Sequence, residues 1–484
     1  MGWLHKREWL VVVLALVVVL RIPSLFEPYW YGDEAIYLTL GQAINQKVPL
    51  YSGIHDNKPP LLYMAAAVAS GNQFWFKFLA MAWNLATVGA FVKLAGKVFE
   101  HRKKQVILAT FGFSILTTIP FWEGNIANAE LFFLLPTVLA AGLLWKRQTG
   151  TKVVFWAGVL YGVAALFKMP AILEAGIWPL VWMTGKEKGV FKNMILLAAG
   201  ISFPIVLSGI YFAIRGGFTD YITAAWLQNI PYLSSWQSAS AASGMFSIKG
   251  RAAVTVVLLA FIWGLHRIIG RAGLIVGIWG VITLFASLLS GRPYPHYLMQ
   301  MSGVASVALA LFFEKRTAER IVSVGALLAI IVTFVGFGFY KYPVVSYYTN
   351  FISWVWGQKS TPAYYSWFDA KVNINYDLAS IIKSESLENE KIFVWGDEPA
   401  LYALSHRLPV GKYTTKYHIK DFKAEGLVME LLKKNPPKFV VSYGKEEELP
   451  GLSVWLRDNY VLEKKIEHVK IYRWTKLSFV ISRL

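Results

Sequence analysis

Side chains able to do chemistry stand at the edges of long apolar runs rather than inside them. Asp33 and Glu34 lie in "WYGDEAIYLTLGQ", and His55, Asp56 and Lys58 in "HDNKPP". Glu123 and Glu130 flank "GNIANA", Lys168 sits in "LFKMPA", and Arg292, His296 and Tyr297 share "GRPYPHYLMQ". Carboxylates can move protons, and Lys, Arg and His can hold an anion. Charges beside a bilayer are costly, so each is a functional candidate. Each also has a plainer reading. Asp33 and Glu34 suit the start of a surface helix, as Glu130 suits the start of the run after it. "DNKPP" reads as a turn, Lys168 as a side chain reaching for the interface, and the Arg292–Tyr297 stretch as an interfacial anchor. Glu123 has no pattern around it.

The elements that must position these groups are membrane helices. The 484 residues are 56% hydrophobic, 15% aromatic and 16% charged, with a mean hydropathy of +0.45, outside the range of soluble globular chains. Repeated apolar runs of about 17 to 25 residues are the length a helix needs to cross a bilayer. The first follows His5, Lys6 and Arg7 and precedes no small-residue cleavage site, so it reads as an uncleaved signal anchor with a cytoplasmic N-terminus. The absence of cysteine excludes disulfides, thiolate metal sites and a cysteine nucleophile.

A net charge of +19 raises nucleic acid as a partner, but the charge lies in short loops between the runs, which excludes it. Basic clusters at Lys6–Arg7, Arg102–Lys104, Lys146–Lys152, Lys186–Lys192, Arg267–Arg271 and Lys315–Arg320 alternate with basic-poor loops, the positive-inside pattern. About eleven spans fit it, starting near residues 9, 74, 106, 131, 153, 171, 194, 251, 272, 297 and 321. The C-terminus then lies outside. "PPLLYMAAAVASG" is too short to span and reads as interfacial or re-entrant. The first outer loop therefore runs from about residue 27 to 73. Within it Ile36, Tyr37, Leu40 and Ile44 have the spacing of a helix lying on the membrane surface. This topology brings every polar candidate to one side, as an active site between membrane and outer water requires.

Past residue 340 charges become frequent. Residues 341–368, rich in Tyr and Trp, read as an interfacial linker. In 369–484, "KIFVWGD", "KFVVSYG" and "HVKIYRW" read as strands, with helical patterns at "EPALYALSH", "FKAEGLVMELLKK" and "GLSVWLRDN". The expected fold is an all-α polytopic membrane bundle over 1–340, followed by a small extracytoplasmic α/β domain. "GDE" recurs at Gly396, Asp397 and Glu398, so the tripeptide itself carries no function. The aromatic stretch "DYITAAWLQNIPYLSSWQ", 220–237, could stack on sugar or polyprenyl, or belong to an aromatic belt.

The ordered set resembles the glycosyltransferase C superfamily, in the branch of the protein O-mannosyltransferases and lipid A aminoarabinose transferases. The matching pieces are the Asp33–Glu34 pair, "KPPLLYM" from Lys58, "ANAELFF" with Glu130, "FKMPA" with Lys168, and "PHY" at 295–297. The resemblance implies transfer of a sugar from a polyprenyl-phosphate donor to a hydroxyl acceptor (protein, lipid or cell-surface glycan), outside the cytoplasmic membrane and with inversion. It implies Asp33 as general base, Glu34, Asp56 and Glu130 as orienting or acceptor-side carboxylates, and Lys168, Arg292 and His296 facing the donor phosphate. Lys58 and Tyr297 belong to the same matching pieces, on the substrate-binding side. The aminoarabinose transferases carry a glutamate directly before the Lys-Pro, where this chain has Asn57. A divalent metal ion on Asp33, Glu34, Asp56 and His296 stays open, without tight ligand spacing. The rival class is a transporter or lipid flippase, which would carry charges inside its spans; here the spans are nearly free of charge except Glu174, and the acids cluster in outer loops.

Overall fold

The computed structural model describes residues 8–146, 149–185, 189–232, 247–292, 294–313 and 317–475. His5, Lys6, Arg7, Arg147, Lys186, Lys188, Lys315 and Arg316 of the basic clusters, and residues 233–237 of the aromatic stretch, lie outside the described residues. The chain runs through α1 (Glu8–Leu25), α2 (Gly32–Asn45), α3 (Leu61–Val68), α4 (Gln73–Val98), α5 (Lys103–Leu116), α6 (Ala129–Leu144), α7 (Thr151–Ala165), α8 (Ile177–Thr184) and α9 (Val190–Ile214). Helices Ile248–Gly264, His266–Ser287, Ser302–Phe312 and Thr317–Gly336 complete the bundle. Helical segments stand near each of the expected span starts. Five of them, α1, α4, α9, His266–Ser287 and Thr317–Gly336, are long and apolar enough to cross a membrane. The apolar α6 and α7 are shorter, at 16 and 15 residues.

Backbones pack closely where side chains are missing. A Cβ added to Gly158 of α7 or Gly200 of α9 would meet the carbonyl of Leu197 or Phe155, so only glycine allows this helix contact. Gly41 does the same for α2 and α3, where a Cβ would lie 2.7 Å from the Ala66 backbone. At eight residues, α3 is about 12 Å long and cannot span.

Around α2 the structure differs from the surface helix expected. Residues 34–43 are buried on every side, because α3 and α4 pack below and the helix Ala400–Ser405 of the C-terminal domain packs against it. Gln42 Nε2 donates to the Ala403 carbonyl at 2.9 Å, tying the two parts together.

That domain has a four-stranded sheet, ordered β1 (Ile392–Trp395), β2 (Phe439–Ser442), β4 (Val469–Trp474) and β3 (Tyr460–Ile466). β1 and β2 are parallel, and β4 is antiparallel to both β2 and β3. One face of β1, Phe393 and Trp395, packs on Val428 and Leu432; the other, Ile392 and Val394, packs on Leu378 and Ile382. Strands covered on both faces read as continuous apolar runs, which is why β1 and β2 were visible in sequence. β3, mostly exposed, was not. In the linker, helices Val344–Val355 and Thr361–Ser366 bury Tyr347 and Tyr364 and expose Val345 and Trp356.

Candidate active site

Asp33 and Glu34 occupy the first turn of α2, and successive helical residues point roughly 100° apart. That rotation separates them. Asp33 lines a cavity of about 250 Å³. Its Oδ2 accepts from the Tyr37 hydroxyl at 3.0 Å and from Lys58 Nζ at 3.3 Å. Lys58 also lies 3.8 Å from Asp56 Oδ2 and 4.8 Å from the centre of the Tyr37 ring. Burial alone would raise the Asp33 carboxyl. The charges of Lys58 and His296, with the hydrogen bonds from Tyr37 and Lys58, outweigh burial and hold it down at about 2.

The same cavity is lined by Glu130 and Lys168, which form an ion pair, and by His296, Tyr297 and Gln300. Lys168 Nζ lies 4.2 Å from the centre of the Tyr297 ring. Each of these groups stands where a helix starts or breaks. Glu130 is in the first turn of α6, Lys168 precedes the 3-10 turn Met169–Gly176, and His296 and Tyr297 lie in the 3-10 turn Pro295–Met301. The prolines at 170 and 295 begin those turns. Phe133, Ile172, Leu173 and Leu289 give the cavity an apolar wall.

Other expected residues lie elsewhere. Glu34 is buried beneath α2, where Oε1 accepts the Ala127 N–H at 2.6 Å and Oε2 pairs with Lys77 at 3.0 Å. Asp56 is buried behind Lys58; it accepts from the Tyr63 hydroxyl at 2.7 Å and stands 3.6 Å from His418 Nε2 of the α/β domain. His55 is in the same seam: its N–H donates to the Lys412 carbonyl at 2.8 Å, and its ring packs on Phe422. Burial, then the neighbouring His418, pushes the His55 imidazole down to about 3. Arg292 is not among the lining residues; its N–H donates to Ser290 Oγ at 3.3 Å.

Glu123, patternless in sequence, is a hub. Its Oε2 accepts from the Tyr31 hydroxyl at 2.8 Å and lies 2.5 Å from His296 Nδ1, and its Oε1 accepts from the Tyr342 hydroxyl at 3.2 Å. Tyr31, Tyr37, Gln300 and Tyr342 were also not singled out. The tyrosines gave a weak signal, since aromatic residues abound throughout this chain, and Gln300 gave none.

The acids considered for a divalent metal ion do not form its donor set. The Lys58 ammonium already stands between Asp33 and Asp56, and Glu34 is committed to Lys77. Among the described residues, no group of three or more His, Asp or Glu side chains is placed to hold a metal ion.

No protein-family model and no curated protein matches the sequence. Solved structures do. ArnT from Cupriavidus metallidurans bound to undecaprenyl phosphate superposes with a TM-score of 0.59 at 14% identity, covering 96% of this chain and 98% of that one. The apo state of the same protein gives 0.57 at 13% identity, covering 97% and 98%. The chain has the ArnT fold. At such identity the likeness is one of architecture, bundle and α/β domain together. The five helices long and apolar enough to cross a membrane agree with that architecture.

Proposed function

We propose that this chain is a glycosyltransferase that moves a sugar from a polyprenyl-phosphate donor to a hydroxyl acceptor, with inversion, on the extracytoplasmic side. The ArnT fold supports this, one ArnT structure being bound to undecaprenyl phosphate. The observation that carries it is the cavity: one carboxylate–lysine pair, Asp33 with Lys58, a second, Glu130 with Lys168, and an apolar wall suited to a lipid tail. On this reading the N-terminus is cytoplasmic and the α/β domain outside.

Asp33 takes the proton from the acceptor hydroxyl as its oxygen attacks the anomeric carbon. The polyprenyl phosphate leaves with the electrons of the broken C–O bond, and Lys58, Lys168 and His296 stabilise the charge that develops on it. Arg292 joins them from the same loop, and Tyr297 holds Lys168 in place. When Lys58 turns to the phosphate, Asp33 loses the charge that keeps it a weak base, and burial then strengthens it. Glu130 orients Lys168, Asp56 orients Lys58, and Glu34 anchors the helix that carries Asp33.

The test uses purified protein in nanodiscs with an undecaprenyl-phosphate-linked sugar and a panel of protein, lipid and glycan acceptors. Wild type is expected to release undecaprenyl phosphate with formation of an inverted glycoside, and Asp33→Asn is not. Lipid translocation without any transfer product would replace this reading by the transporter or flippase.

A further inference from the structure

We propose that Glu123 is a positioning residue that acts through His296, fixing which ring nitrogen of that histidine meets the donor phosphate. This rests on the function proposed above and deepens it. A carboxylate can only accept, so the 2.5 Å contact between Glu123 and His296 places the ring hydrogen on Nδ1. Nε2 is then the nitrogen left to serve the cavity that His296 lines, where it meets a phosphate oxygen as the second N–H donor of the imidazolium. The arrangement has the logic of a carboxylate that orients an imidazole and stabilises its charged, doubly donating form.

Glu123 is itself held rigidly. Its backbone is left-handed, at φ 55° and ψ 36°, a conformation that a glutamate keeps only where its surroundings impose it. Those surroundings are visible. Arg21, fully buried in α1, donates to the carbonyls of Thr117 at 3.0 Å and of Gly124, clamping the loop from both sides. A Cβ on Gly124 would lie 2.7 Å from the Thr118 backbone, so the loop closes tightly there. The Tyr31 and Tyr342 hydroxyls also donate to Glu123, one to each oxygen. Tyr31 is the N-cap of α2, two residues before Asp33, so one carboxylate ties the segment carrying the base to the histidine on the phosphate side.

A double-mutant cycle tests this, read as binding of undecaprenyl phosphate to purified protein and, separately, as transfer kinetics. Glu123→Gln is expected to weaken binding about tenfold, the size of one charge-assisted hydrogen bond. In a His296→Ala background the same change is expected to cost nothing further, because Glu123 has lost the group it acts through. Tyr342→Phe touches Glu123 and leaves the charge in place. It gives a second cycle, with a loss of about twofold that also vanishes in His296→Ala, and serves if Glu123→Gln does not fold. Additive losses in either cycle, or wild-type binding by Glu123→Gln, overturn the proposal and leave the transferase reading standing. A wild-type protein that binds no undecaprenyl phosphate and transfers no sugar overturns both.

Discussion

Asp33 and Glu34 are neighbours with the same charge on the same helix turn, yet they belong to different regions. Asp33 is half-buried in the cavity, within reach of one lysine that also serves Asp56. Glu34 belongs to a closed cluster under α2, in which Lys77 lies 2.8 Å from Glu27 and 3.0 Å from Glu34, with every charged group buried. Glu27 further accepts from Tyr347 at 2.5 Å, Asn125 at 2.8 Å and Trp30 at 2.9 Å. The closed cluster joins the segment after α1 to α2, α4 and helix Val344–Val355, and no acceptor of Glu27 is left for a substrate. The cavity pairs border open space, and on the proposed reading their lysines turn to a phosphate. The difference teaches that acids beside a membrane divide by what closes over them: Glu34 is sealed among buried groups with Lys77, whereas Asp33 opens on a cavity.

The largest break in that contrast is expected from Lys77→Met. It leaves two buried carboxylates without their cation and should cost about 3–5 kcal/mol of stability, seen as a large fall in the thermal midpoint of the purified protein. Asp33→Asn should do the reverse. Transfer should fall about 10²- to 10⁴-fold while the thermal midpoint barely moves. An equal loss of stability in both variants would erase the distinction.

Lys58→Ala sharpens the cavity side through pH. Asp33 works ionised and is held at about 2 before the donor binds, so kcat/KM, which reports the free protein, should survive into acid and fall only as pH drops through that value. Without Lys58, burial dominates and the carboxyl rises, so the acid limb should move to higher pH in a rate profile. An unmoved limb would mean that Lys58 does not tune Asp33. The smallest effect is expected at the seam, where Lys412 and Asp220 lie 3.6 Å apart and partly exposed. Lys412→Ala should cost roughly 0.2–1 kcal/mol, a cost that high salt removes, as denaturant titration would show.

Helix positions in the bundle and the runs of β1 and β2 were readable because each follows from local apolar pattern. The surroundings of α2 were not. Ile36, Tyr37, Leu40 and Ile44 declare an apolar face, but a pattern cannot say whether lipid or protein covers it, and here a domain about 360 residues further along the chain does. Glu123 was illegible for a related reason. A single acid before a glycine is an ordinary turn, and its importance comes from His296 and Tyr342, 173 and 219 residues away.

The sequence by itself determined that apolar runs of membrane-spanning length fill most of the chain, that acids and bases gather at their ends, and that strands and helices alternate after about residue 340. These are properties of composition, hydrophobic period and the cost of charge near lipid, all local along the chain. Only the tertiary structure decided which of two adjacent carboxylates faces the cavity and which is sealed against Lys77. It also decided that a patternless glutamate would hold the histidine. Such assignments depend on helix rotation and on partners far apart in the chain, and no spacing within a motif records them.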